Sequence, residues 1–240
     1  MIDLPERDDS YAAEIRPGLH GRRKGKPLRT HQNELYETLL PRLKLDVTGR
    51  VDPAGLFPRA MDDLCIEIGF GGGEHLAADA RNNPDVGFIG CEPFINGVAK
   101  LLAVIETDRL DNVRLHAGDA YDALHALPDG CVGRINLLYP DPWPKRRQRK
   151  RRFVSDQSVR EFARLLRPGG EFRFASDIDD YTGWTLARLL PSPHFSWSAQ
   201  TEQDWVLPWQ GYTRTRYEEK AIREGRRSSY LTFVRNAAPV

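Results

Sequence analysis

From Leu64 onward, short apolar runs alternate with segments whose apolar residues recur every three or four positions. The first pattern suits strands buried on both faces, and the second suits helices with one buried stripe. The runs predict strands over 64–68, 86–91, 113–117, 135–139 and 171–175, with strand-like residues at 194–198 and 230–234 completing a sheet. Between them, the spacing predicts helices over 74–82, through Phe94, Val98, Leu101, Leu102 and Ile105, through Val159, Phe162, Ala163 and Leu166, and over 181–190. Arg167-Pro168-Gly169-Gly170 reads as the stop of the third of these. Leu35, Leu39, Leu40 and Leu43 place a further short helix over 33–43, and 46–58 reads as a loop. Strand alternating with helix predicts an α/β chain: a mostly parallel, seven-stranded, Rossmann-like sheet with helices on both faces.

Upstream of that pattern, residues 1–32 lack periodicity and carry Arg16, Arg22, Arg23, Lys24, Lys26 and Arg29 among glycines and prolines. They read as a basic arm, mobile without a ligand, ahead of one domain over 33–240. Composition adds little: 40% hydrophobic and 29% charged residues suit an ordinary globular domain. The net charge of +1 hides clustering, because 35 basic residues nearly cancel 34 acidic ones. No run reaches the ~18 apolar residues of a membrane span, and no secretory signal opens the chain. Cys65, Cys91 and Cys131 form neither a disulfide framework nor a CxxC pair, and point to the cytoplasm. The six histidines share no ligand spacing, so no metal is expected. Monomer and homodimer both remain open.

Tyr139-Pro140-Asp141-Pro142-Trp143-Pro144 follows the 135–139 run, and seven of the next eight residues are cationic. Alternating prolines fix φ at every second residue and push the residues between them toward extended backbone. They predict a stiff arch presenting Asp141 and Trp143, beside an apron of charge too dense to bury unpaired. Taken singly, a basic run is more often a solvated face or a sorting signal, and Pro-Trp-Pro a packed surface loop. Their adjacency at the carboxyl end of a buried strand reads instead as a catalytic rim facing nucleic acid.

The glycine turn Gly69-Phe70-Gly71-Gly72-Gly73 departs from the dinucleotide pattern, with Glu74 in the third glycine position and Glu67 just ahead of the turn. Two carboxylates would repel a diphosphate but suit the ammonium and sulfonium of S-adenosylmethionine; a purely structural turn remains open. Glu92 ends the second strand, where an acid accepts from ribose hydroxyls, and Asp119 follows the third, within reach of an adenine amine. Acids at three successive strand ends on one rim read as a class I S-adenosylmethionine-dependent methyltransferase.

At these residues the sequence resembles the bacterial tRNA (guanine-N7)-methyltransferases. The resemblance is carried by Glu67 to Gly73, Gly90-Cys-Glu-Pro93, Gly118-Asp-Ala120, Tyr139 to Lys145 with its basic tail, Ser176-Asp177 and Thr215-Arg-Tyr-Glu218. It runs from Gly21 to about Val234, and its Pro-Asp-Pro-Trp-Pro-Lys block is its most specific part. It implies cofactor contacts at Glu67, Glu92, Asp119 and Asp141, with Gly69, Gly71 and Gly73 forming the cofactor turn. It implies tRNA contacts at Lys145, Arg147, Arg149, Lys150, Arg151, Arg152, Asp177, Thr215, Arg216, Tyr217 and Glu218. The implied reaction gives 7-methylguanosine in the variable loop of tRNA.

Guanine N7 carries a free lone pair, so its methylation needs positioning and tolerance of developing positive charge, not a general base. Carboxylates at Asp141, Asp177 and Glu218 suit that need, with Asp141 either positioning the cofactor or stabilising charge, and Asp177 or Glu218 accepting from the guanine edge. The alternative for Asp177 is a helix cap before Ile178-Asp179, and for 215–218 a solvated segment. Two other functions compete: a methyltransferase of another RNA or a small molecule, and an RNA-binding protein without catalysis. Two separated basic clusters argue against a small-molecule substrate, and intact acids argue against lost catalysis.

Overall fold

The structure is a computed structural model that describes residues 20, 21 and 23–237. Residues 1–19 and Arg22, and with them most of the expected basic arm including Arg16, lie outside the described residues.

Seven strands form the sheet among the described residues: β1 (Asp63–Ile68), β2 (Val86–Cys91), β3 (Val113–His116), β4 (Val132–Leu138), β5 (Leu166–Ser176), β6 (Phe195–Trp197) and β7 (Ser229–Arg235). Their order is β3-β2-β1-β4-β5-β7-β6. The first five run parallel, and β7 pairs antiparallel with both β5 and β6. The helices are α1 (Thr30–Thr38), α2 (Leu40–Leu43), α3 (Glu74–Asn82), α4 (Ile95–Asp108), α5 (Ala120–Ala126), α6 (Asp156–Leu165), α7 (Asp179–Leu189), α8 (Gln203–Val206) and α9 (Arg216–Arg223).

Strand parity sends side chains into two cores. Leu64, Ile66 and Ile68 of β1 join Leu124, Phe162 and Tyr181, from α5, α6 and α7, on one face. Cys65 faces the other way, with Leu35, Leu76 and Leu101 from α1, α3 and α4. Both faces are therefore covered, which is why the strands read as apolar runs without polar alternation. The predicted α/β architecture stands.

Three local expectations differ. The single helix over 33–43 is two, α1 and α2, with Pro41 in the first turn of the second, where its missing N–H costs nothing. Pro168-Gly169-Gly170 does not end a helix in a loop. It lies within β5, whose register against β4 slips between Val132 and Arg134 to absorb the extra residues as a bulge. Finally, Tyr139 (φ 50°) and Trp143 (φ 42°) are left-handed, not extended as the prolines after them predict. No helix among the described residues is long and apolar enough to cross a membrane.

Candidate active site

Strand order reverses between β1 and β4, and ligands in open α/β sheets bind outside the carboxyl ends at such a point. A cavity of about 560 Å³ lies there, within the roughly 300–1,000 Å³ of small-molecule sites. Gly69 and Gly71 from the turn after β1, Glu92 and Phe94 after β2, Asp119 after β3, and Tyr139, Asp141 and Trp143 after β4 all line it. Arg151, Arg152, Arg216 and Tyr217 close its outer side, with His20 and Gly21 at its mouth.

The turn is built for close approach. Gly71 has φ 59°, and a Cβ there would stand 3.2 Å from both Arg216 Nη2 and Tyr217 Cε2. Gly97 brings the first turn of α4 onto the loop, since its Cβ would fall 2.0 Å from the Gly71 carbonyl oxygen. Glu92 ties the two loops together: Gly71 N donates to Oε2 at 2.7 Å and Phe94 N to Oε1 at 2.9 Å. Burial pushes the Glu92 carboxyl up from its ordinary value, against the pull of these two backbone donors. A carboxylate offers about four lone-pair sites, so two remain for ribose hydroxyls. Asp119 caps α5 by accepting from Tyr121 N at 3.1 Å, and also faces the cavity. Asp141 is exposed at the rim, yet desolvation by the cavity walls pushes its carboxyl up.

The mouth is covered by a segment that sequence periodicity did not single out. Asn96 accepts from Gly25 N at 2.8 Å and donates to the Lys26 carbonyl at 2.7 Å, while Ile95 N donates to Arg23 O at 3.0 Å. These bonds seat the described part of the arm over the site, with His20 edge-on to Trp143 at 6.1 Å between ring centroids. Nothing in the sequence marks Asn96, His20 or Phe94 for this place, because each contact spans distant positions or an aperiodic segment.

Other expected site residues stand elsewhere. Parity turns Glu67 toward α3, where its carboxylate meets His75 Nδ1 at 2.6 Å and does not line the cavity. Burial pushes the His75 imidazole down, but the charge and hydrogen bond of Glu67 outweigh it and leave it raised. Gly73 (φ 78°) is the N-cap of α3, packed against Leu101. Asp177 is no helix cap; it accepts from Arg226 Nε at 2.6 Å. Thr215 caps α9 by accepting from Glu218 N at 3.2 Å. Glu218 is buried, accepts from the Tyr230 hydroxyl at 2.6 Å through Oε1, and leaves Oε2 without a hydrogen bond among the described residues.

The basic run divides in two. It forms a 3₁₀ helix over Arg146–Arg151. Lys145, Arg146, Arg147 and Lys150 are exposed, and no ion pair engages them among the described residues. Arg149 donates to Asp180 at 2.8 Å, and Arg151 lies over the Trp143 ring at 4.9 Å. Arg152 is fully buried.

Residues 61–231 match a family described as "Putative methyltransferase". The chain is 58% identical to the tRNA (guanine-N(7)-)-methyltransferase of Nitrobacter hamburgensis, covering 96% of this chain and 92% of that one. It is 53% identical to the enzyme of the same name from Bradyrhizobium diazoefficiens, covering 97% of each. Among solved structures, an rRNA methylase from Streptococcus thermophilus shares the fold, with a TM-score of 0.50 at 8% identity over 74% of this chain and 89% of that one. Identity above half over nearly full length, with acids at the ends of β2, β3 and β4 around one cavity, makes the chain a member of the tRNA (guanine-N(7)-)-methyltransferase family.

Proposed function

We propose that this chain methylates N7 of a guanosine in the variable loop of tRNA, using S-adenosylmethionine. One observation carries the reading: a cavity walled by the carboxylates of Glu92, Asp119 and Asp141 opens directly beside an exposed cationic apron. The cavity suits a cationic nucleoside, and the apron suits a polyanion.

The residues present fit the cofactor. No atom of the described residues beyond its chain neighbours lies within 4 Å of where a Gly69 Cβ would stand, so the turn leaves open room against the backbone. When bound, S-adenosylmethionine supplies a sulfonium methyl that the N7 lone pair attacks, the carbon–sulfur electron pair leaving with sulfur. Glu92 accepts from the ribose hydroxyls with its spare lone pairs, and Asp119 receives the adenine amine. Asp141, at the rim between cavity and apron, offsets positive charge on both reactants and holds them in line. N7 loses no proton in the transfer, so the carboxylates of the rim need only offset charge.

Lys145, Arg146, Arg147 and Lys150 hold phosphates, and Arg216 and Tyr217 stand between the two ligands. Glu218, with an unpaired buried oxygen, and Asp177, held by a single guanidinium, are the carboxylates available to the guanine N1–H and amino group. Glu67 and Thr215 act from behind, through His75 and the α9 cap. Three free thiols, two of them buried, suit a cytoplasmic setting.

The decisive assay replaces the target guanosine by 7-deazaguanosine in an otherwise intact tRNA. Binding should survive, because the Watson–Crick edge and phosphates are unchanged, while methyl transfer vanishes. Robust methylation of the deaza substrate would defeat the assignment.

A further inference from the structure

The proline arch is the part of the rim whose backbone departs from what its sequence favours. Tyr139 (φ 50°) and Trp143 (φ 42°) are bulky, left-handed and each followed by proline. Such a conformation persists only where its surroundings hold it. One end is held by Tyr139, whose N–H donates to the Ala175 carbonyl at 2.8 Å and whose hydroxyl donates to Ser228 Oγ at 2.9 Å. The other hold lies one residue past Asp141, where the Pro142 carbonyl accepts from Arg152 Nε at 2.8 Å.

Arg152 is placed for that task and for little else. Its guanidinium lies 4.8 Å from the Tyr181 ring centroid and 5.0 Å from that of Trp184, and its remaining nitrogens meet the carbonyl and carboxylate of Asp180. Its side chain has no exposed surface. To reach a phosphate it would have to break the bonds to Pro142 and Asp180 and leave both rings. Exposed Lys145, Arg146, Arg147 and Lys150 need break nothing.

We propose that Arg152 is a positioning residue: by holding the Pro142 carbonyl it fixes the arch that aims Asp141, and it makes no phosphate contact with RNA. The inference rests on the proposed reading of this cavity as a methyl-transfer site. Within the basic run, local sequence is uniform but the roles are not.

Arg152→Lys tests it, because lysine keeps the charge but loses the planar fork that serves Pro142 and Asp180 together. Methyl transfer to tRNA should lose about 10–100-fold in kcat, the scale of an ångström-sized misplacement of a reacting group. Affinity for tRNA, and its dependence on salt, should match the unaltered chain. The double variant with Asp141→Asn should be no slower than Asp141→Asn alone, since no carboxylate is left to aim. Unchanged kcat would overturn the proposal. So would a salt slope shallower by about 0.7–0.9, the mark of one lost phosphate contact, or losses that multiply in the double variant.

Should Arg152→Lys fail to fold, Asp180→Ala made in an Arg149→Ser background decides, since Asp180 is half exposed and, with Arg149 gone, its loss unpins Arg152 alone. Slower transfer, non-additive with Asp141→Asn, supports positioning. Tighter tRNA binding at unchanged kcat marks a freed phosphate ligand and refutes it. A wild-type chain that transfers no methyl to tRNA would sink the functional reading alone. The affinities of the same variants for S-adenosylhomocysteine would still show whether Arg152 and Asp141 are coupled.

Discussion

Replacing Lys145, Arg146, Arg147 and Lys150 together by serine isolates the apron from the rest of the site. The four are exposed, while the other cations of the run face protein: Arg149 meets Asp180, Arg151 covers Trp143 and Arg152 is enclosed. A 3₁₀ helix has three residues per turn, so Arg147 and Lys150 share one side, and Arg151 shares with Gln148 the side turned to Trp143. Each phosphate neutralised releases condensed counterions and contributes about 0.7–0.9 to the slope of log affinity against log salt. Four such contacts together are worth about 3 in that slope. Over a fourfold rise in salt the unaltered chain should therefore lose about 60-fold more tRNA affinity than the variant. The measurement is filter or fluorescence binding of tRNA across a salt series, with S-adenosylhomocysteine titrated by calorimetry as control. The cofactor affinity should not change, because none of the four lines the cavity. A variant slope equal to that of the unaltered chain would show the apron to be a solvated face, and the polyanion argument would go with it.

Two further substitutions probe one carboxylate that lines the cavity and one behind it. Glu92→Gln keeps the shape but replaces one acceptor oxygen by a donor facing a backbone N–H. S-adenosylmethionine affinity should fall by about 2 kcal/mol, or roughly 30-fold, and calorimetry showing no change would remove Glu92 from the site. Glu67→Gln removes the counter-charge of His75 in a buried pair, where breaking one partner costs about 3–5 kcal/mol. Because His75 is raised in the folded protein, the pair's contribution is fully present below an imidazole's ordinary value near 6.5 and fades as pH rises through the raised value. In the variant burial and the Arg134 charge oppose a charged His75 with only Asp79 to offset them, so acid destabilises it. The gap in melting temperature should widen from pH 8.5 to pH 6, and a constant gap would refute the pairing.

Most of the sheet was legible because its strands are buried on both faces. Apolar runs such as Val86–Cys91 have few other uses, and the predicted span of that strand coincides with the observed one, as does that of α3. Legibility failed where long-range contacts outweigh local preference. Tyr139 and Trp143 adopt the conformation that the following prolines disfavour because anchors at Ser228, Ala175 and Arg152 hold them there. The helix α5 (Ala120–Ala126) went unmarked because only Asp119, read as an adenine contact, announces its start. Its place before the glycine turn points Glu67 to the cavity. Period-two parity along β1 already puts it on the side opposite Ile66 and Ile68, toward His75.

The charge layout explains why one rim can serve two ligands of opposite sign. Glu92, Asp119 and Asp141 ring the inner cavity, so a phosphate backbone is repelled from the space that a sulfonium nucleoside favours. The apron begins four residues after Asp141 with the exposed Lys145, and attracts what the cavity rejects. Between the two lie the arch and the pair Arg216 and Tyr217. Asp141 is thus the carboxylate nearest the boundary, and its carboxyl is pushed up by desolvation. As pH falls, Asp141 takes up a proton sooner than an ordinary aspartate, and Glu92, also raised, sooner than an ordinary glutamate. Acid therefore weakens the attraction for a cationic cofactor. Cofactor binding and RNA binding should separate on acidification, the first failing while the second persists, because the first depends on Glu92 and Asp141 and the apron does not.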